Sequence, residues 1–184
     1  MNPIDIALSI ATKAHAGQLD RDGYPAILHP LTVGLMGHTD KEKMAGFLHD
    51  VVEDSPYSFD DLLHEGIPTG VVNAIRLLTH KKGTDYYDYV QGIIDSQNPI
   101  ALQVKYNDLQ HNFERGKAYP DLQKKHGKAL EMVKAAIEEC SKVDIYHAPD
   151  DKKTEVGIFA CGCFWGTQHQ FQKQLMFETI RHIM

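Results

Sequence analysis

Apolar side chains recur at helical spacing through the first 140 residues, and nowhere in that stretch do apolar and polar residues alternate as in a half-buried strand. Ile6, Leu8, Ile10, Ala11 and Ala14 predict a first helix over Asp5–Ala16, closed by Gly17, which takes the left-handed conformation without a Cβ penalty. A polar turn from Gln18 to Tyr24 precedes a second helix, with Pro30 at its first position, Met36 at its end and His29 at its entrance. Asp40 is the expected N-cap of a third helix, whose stripe of Met44, Phe47, Leu48, Val51 and Val52 faces a core. Ser58 and Asp61 form a capping-box pattern for a short helix through His64, and Pro68 starts another carrying Val71, Val72, Ile75 and Leu78. Helices over Tyr86–Asp95, from Asn98-Pro99 to about Phe113, and from an Asp121 cap to about Cys140 complete an all-α domain with short connections.

The texture changes at Ser141. A polar stretch, 141–154, reads as a linker, and 155–184 as a separate unit with the chain's one convincing strand, Glu155–Ala160, followed by an amphipathic helix. The expected organisation is therefore a helical domain over 1–140 and a short strand-helix appendage. At 184 residues and 42% hydrophobic the chain has room for one cored domain plus a fragment. The net charge is −6, with all of the excess acid lying before the linker, which argues against duplex nucleic acid as a partner. A small phosphorylated ligand held through a recruited cation is compatible with it. No apolar run reaches the length of a membrane span, and the N-terminus lacks the basic region of a secretory signal, so a cytoplasmic, non-membrane protein is expected. Three cysteines, all late in the chain, do not make a disulfide framework.

The 11 histidines carry the chemistry. In His49-Asp50-Val51-Val52-Glu53-Asp54, helical spacing gathers one histidine and three carboxylates on a single face of an otherwise apolar helix. Burying them without a partner is costly, and a divalent cation satisfies them; a solvated acidic helix end is the alternative. His29 and Asp108 supply further ligand types from separate segments, giving the order H…HD…D. Lys105 and Asn112 flank Asp108 at three and four residues, on its helical face, and suit phosphate and a sugar or base.

Together, Ala14-His15-Ala16-Gly17-Gln18, Gly23-Tyr24-Pro25 leading to His29-Pro30-Leu31, His49 to Asp54, and Lys105 to Asn112 (KYNDLQHN) resemble the HD-type phosphohydrolase domain of the RelA/SpoT family and the small stand-alone alarmone hydrolases. The resemblance covers residues 4–115 and implies an HD-domain helical bundle. It further implies that His29, His49, Asp50 and Asp108 bind one manganese ion, that Glu53 and Asp54 position and activate the attacking water, and that the reaction removes the 3′-pyrophosphate of (p)ppGpp. Arg21 and Lys105 are then the local cations for phosphate, and Asn112 faces the nucleoside. Ahead of the first metal histidine the family usually has Arg-Lys and then Pro-Tyr-Ile; this chain has Asp20-Arg21 and Pro25-Ala26-Ile27. These departures point to a related nucleotide as an alternative substrate and to a non-catalytic nucleotide sensor as an alternative function. The remaining length is expected to exclude a synthetase domain.

Glu155 to Gly166 is similar to the start of peptide methionine sulfoxide reductase A, where a strand leads into Gly-Cys-Phe-Trp-Gly. The resemblance makes Cys163 the counterpart of that family's nucleophile, with Cys161 in place of a usual glycine. About 30 residues are too few for that enzyme's domain, so the tail is expected to be a truncated, inactive beginning of a fused reductase. A reading in which the helical domain is an accessory of a reductase fusion follows from the same motif. The appendage could otherwise cover apolar surface on the helical domain or on another copy of the chain, as in a homo-oligomer.

Overall fold

The computed structural model describes residues 2–141. Of the expected linker it describes only Ser141, as the last residue of a helix; the strand-helix unit with Cys163 lies outside the described residues. The described residues form helices α1 (Pro3–Ala14), α2 (Leu28–Leu35), α3 (Asp40–Leu48), α4 (Val51–Asp54), α5 (Phe59–His64), α6 (Thr69–Leu78), α7 (Tyr86–Asp95), α8 (Pro99–Arg115) and α9 (Pro120–Ser141), with a 3-10 turn at Gly116–Ala118. The fold is all-α; among the described residues extended pairing is limited to an isolated antiparallel bridge between Leu19 and Pro25. No helix of the described residues is long and apolar enough to cross a membrane.

Local chemistry sets the boundaries. Asn98 Oδ1 accepts the Ala101 amide ahead of Pro99, and Ser58 with Asp61 forms the reciprocal capping box that the sequence predicts. The cap of α3 is Thr39 rather than the expected Asp40. Glu42, three residues on, returns its carboxylate to the Thr39 and His38 amides, a reciprocity that Asp40 cannot make with Lys43. The third helix is also not continuous. Gly46 O, which an unbroken helix would offer to the Asp50 amide, receives His49 Nδ1 at 2.8 Å, and Asp50 (φ −94°, ψ −9°) opens the separate turn α4.

Helices α3 and α8 form the centre. α3 packs on α1, α2, α6 and α8, while α8 packs on α9 and also on α2, α3 and α6. Leu48, Val51, Ile75, Val104 and Leu109 are fully buried between them and their neighbours. Helix α2 crosses α3 at close range. A Cβ on Gly46 would lie 2.6 Å from Gly34 Cα, and one on Gly34 would lie 2.2 Å from the Phe47 ring, so the two helices touch backbone to backbone. That crossing brings His29 of α2 to the end of α3.

Candidate metal centre

His29 sits one residue into α2, His49 and Asp50 occupy the break between α3 and α4, and Asp108 lies mid-way along α8. One ligand atom from each of His29, His49 and Asp50 can be chosen so that all lie within 4.8 Å of one another. His29 Nε2 is 3.3 Å from His49 Nε2, 3.1 Å from Asp108 Oδ1 and 3.7 Å from Asp50 Oδ2. His49 Nε2 is 3.2 Å from Asp50 Oδ1 and 3.8 Å from Asp108 Oδ1. Two imidazole nitrogens and the Asp50 carboxylate thus form one cluster, with Asp108 Oδ1 beside both histidines, and such a set fits a divalent cation such as manganese, iron, zinc or magnesium.

Three of the four candidate ligands are held from behind. His49 Nδ1 donates to Gly46 O, which leaves Nε2 for the cluster. His29 Nδ1 is 2.7 Å from His111 Nδ1, with the two ring planes 10° from parallel, so that the rings meet edge to edge. Asp108 receives Lys105 Nζ at 2.9 Å on Oδ2 and Asn112 Nδ2 at 2.5 Å on Oδ1. Lys105 is itself buried, with its ammonium over the faces of Tyr89 and Tyr86.

Charge in this buried cluster is strongly coupled. Burial works against protonated His49, yet the Asp50 carboxylate beside it, reinforced by Asp108, pushes it up to about 9. Burial likewise opposes ionised Asp50 and Asp108, and is outweighed by His49 for the first and by Lys105 and His29 for the second, so both lie below the usual carboxylate range. Asp54 behaves differently: burial first, and then the charge of Asp50, raise it.

A cavity of about 530 Å³ opens over this centre, within the range for small-molecule sites. His29, Asp50 and Asp54 line one part of its wall, and Gln18, Asp20 and Arg115 another. Of the two expected catalytic carboxylates, Asp54 is therefore on the cavity. Glu53 is not among the lining residues, and its Oε2 accepts the His80 amide at 3.1 Å. Arg21 is exposed, its guanidinium 5.1 Å above the Tyr119 ring. Lys105 and Asn112, expected at phosphate and nucleoside, are both engaged by Asp108.

Sequence reasoning assigned no role to His111, Arg115 or Gln18. Gln18 Nε2 donates to Asp54 O at 2.9 Å and to Ala14 O, while its Oε1 meets His15 Nδ1 at 2.9 Å, tying the end of α1 to the end of α4. The Ala14–Gln18 motif was the available signal for this link.

No family model matches the chain. The chain is 30% identical over 143 residues to a GTP pyrophosphokinase of Streptomyces coelicolor, covering 72% of this chain and 17% of that protein. It is 45% identical over 60 residues to a guanosine-3′,5′-bis(diphosphate) 3′-pyrophosphohydrolase of Haemophilus influenzae, covering 30% of this chain and 9% of that one. A solved structure described as a metazoan ortholog of SpoT that hydrolyses ppGpp superposes with a TM-score of 0.56 at 22% identity, over 76% of this chain and 93% of the other, a likeness of fold. The helical domain has the all-α HD fold and is similar in sequence to RelA/SpoT-family enzymes. This chain spans less than a fifth of the length of those two curated relatives.

Within this HD domain the two departures from the family pattern lie on the cavity wall, which includes Asp20 and Ala26. Asp20 Oδ1 accepts the Asp22 and Tyr24 amides, while Oδ2 meets Arg115 Nη2 at 2.6 Å. The acid at position 20 thus holds an arginine contributed by the last turn of α8.

Proposed function

We propose that this HD domain is a divalent-metal-dependent nucleotide pyrophosphohydrolase acting in the cytoplasm, with manganese at the His29, His49, Asp50 and Asp108 centre. Its substrate is the 3′-pyrophosphate of (p)ppGpp or of a related nucleotide. The observation that carries the proposal is the cluster of His29, His49 and Asp50, with Asp108 beside both histidines, on a nucleotide-sized cavity that Asp54 also lines. A divalent ion bound there would lower the pKa of a water ligand and offset the charge of the diphosphate. Asp54, whose raised pKa suits proton acceptance, takes the proton from water as the water oxygen attacks the phosphorus on the 3′ oxygen. The bond between the 3′ oxygen and that phosphorus breaks, the 3′ oxygen takes up a proton from solvent to become the product hydroxyl, and pyrophosphate is released. Glu53, tied to the His80 amide, supports the position of this turn. Lys105 and Asn112 orient Asp108, Arg21 is the exposed cation available to the phosphates, and Arg115 with Asp20 forms the wall that meets the nucleoside.

The test is the product profile from ppGpp with purified protein and Mn2+, resolved by anion exchange. GDP and pyrophosphate are expected, and they should be absent with His49→Ala. Asp54→Asn is expected to lower kcat by about 10²–10⁴-fold while nucleotide binding persists. A second reading, a nucleotide sensor without turnover, is favoured by the engagement of Glu53 with His80 away from the cavity. Nucleotide binding with no turnover of ppGpp or of other nucleotide diphosphates would establish the sensor and overturn the hydrolase.

A further inference from the structure

His29 and His49 face the same centre through Nε2, but their other ring nitrogens meet partners of different kinds. Gly46 O can only accept, so His49 Nδ1 always carries its proton and, in the neutral ring, Nε2 is always the lone pair. His29 Nδ1 instead meets another imidazole, His111 Nδ1, at 2.7 Å. At that separation one of the two nitrogens carries the proton and the other accepts it. If His111 donates, the neutral His29 ring has its proton on Nε2, directed at Asp108 Oδ1 3.1 Å away, and cannot ligate. If His29 donates, Nε2 presents a lone pair to the centre. His111 lies on α8 three residues after Asp108, and its ring meets that of His29 edge to edge, with centroids 5.0 Å apart and planes 10° from parallel, so its position is fixed by the helix that supplies a further candidate ligand.

We infer that His111 is the positioning residue of the metal ligand His29, accepting the His29 Nδ1 proton and so fixing the tautomer that turns Nε2 into a ligand. This rests on the reading of the centre as a divalent-ion site.

Isothermal titration of Mn2+ into the ion-free full chain, with melting temperature as the check on folding, is the test. His111→Phe keeps an aromatic ring in that place without the acceptor and should weaken Mn2+ binding by about 10–100-fold. His111→Asn, whose Oδ1 falls near the place of Nδ1, should restore the affinity to within about threefold of the parent chain. With Zn2+ bound, 15N spectra of the histidine rings should place the His29 proton on Nδ1 and the His111 proton on Nε2. Parent-like Mn2+ affinity in a folded His111→Phe, or an Asn variant as weak as the Phe variant, would overturn the inference while leaving the metal site standing. A parent chain that binds no divalent ion would sink the metal reading itself, and the inference with it.

Discussion

Asp108 shows how single residues make this centre. It is buried, anionic and answered on both oxygens, by the Lys105 ammonium and the Asn112 amide, so its charge is stabilised before any ligand arrives. His49 is the titrating counterpart. Its pKa in the ion-free fold is raised from 6.5 to about 9, so its contribution to stability is fully present below about pH 6.5 and is lost as pH rises through about 9. Ion binding runs the other way, because a ligand must give up its proton. The melting temperature of the ion-free protein, followed by circular dichroism, should therefore fall between about pH 6.5 and 9, while the extra stability conferred by Mn2+ should grow across the same window. A melting temperature independent of pH there would show that His49 is not charged in the ion-free state. At this scale the ligand types were legible in the sequence because the H…HD…D order uses residues that have few other reasons to share a buried face. His111 and Arg115 were not, because their partners, His29 and Asp20, lie 82 and 95 positions away and are chosen by packing.

Among the elements, the decisive contact is α2 against α3. Gly34 and Gly46 let the backbones meet, and Gly46 also lends its carbonyl to His49. Gly46→Ala should force the helices apart against backbone atoms, lowering stability by about 1–3 kcal/mol in urea titration. It should weaken Mn2+ binding as well, since His29 and His49 are separated by the same displacement. A variant with parent-like stability and affinity would show that the crossing can give way freely. Helix existence was legible from periodicity, and the Ser58–Asp61 and Asn98 caps were legible from local chemistry. The break at His49–Asp50 was not, since it depends on a histidine side chain bonding back to its own helix. The α3 start shifted to Thr39 because the acid three residues on decides between two adequate caps.

For the whole domain, ligands drawn from α2, the α3–α4 break and α8 couple ion binding to folding. At a free Mn2+ concentration about one hundred times Kd, stability should rise by about 2.7 kcal/mol, and removing the ion with EDTA should reverse the accompanying rise in melting temperature. No shift in the parent chain, or an equal shift in His49→Ala, would contradict an ion at this centre. The acidic balance of the chain fits the same arrangement, since the positive charge needed for a diphosphate is imported rather than encoded.

The reach from His29 to the far half of α8 gives an ion held there the effect of a cross-link. His29 and Asp108 are 79 positions apart, so an ion gripped by both would close a loop over more than half of the described residues. Proteases that act on transiently opened molecules would then meet fewer of them when metal is plentiful. On the proposed metal reading, the supply of the ion would set the protein's lifetime as well as its chemistry.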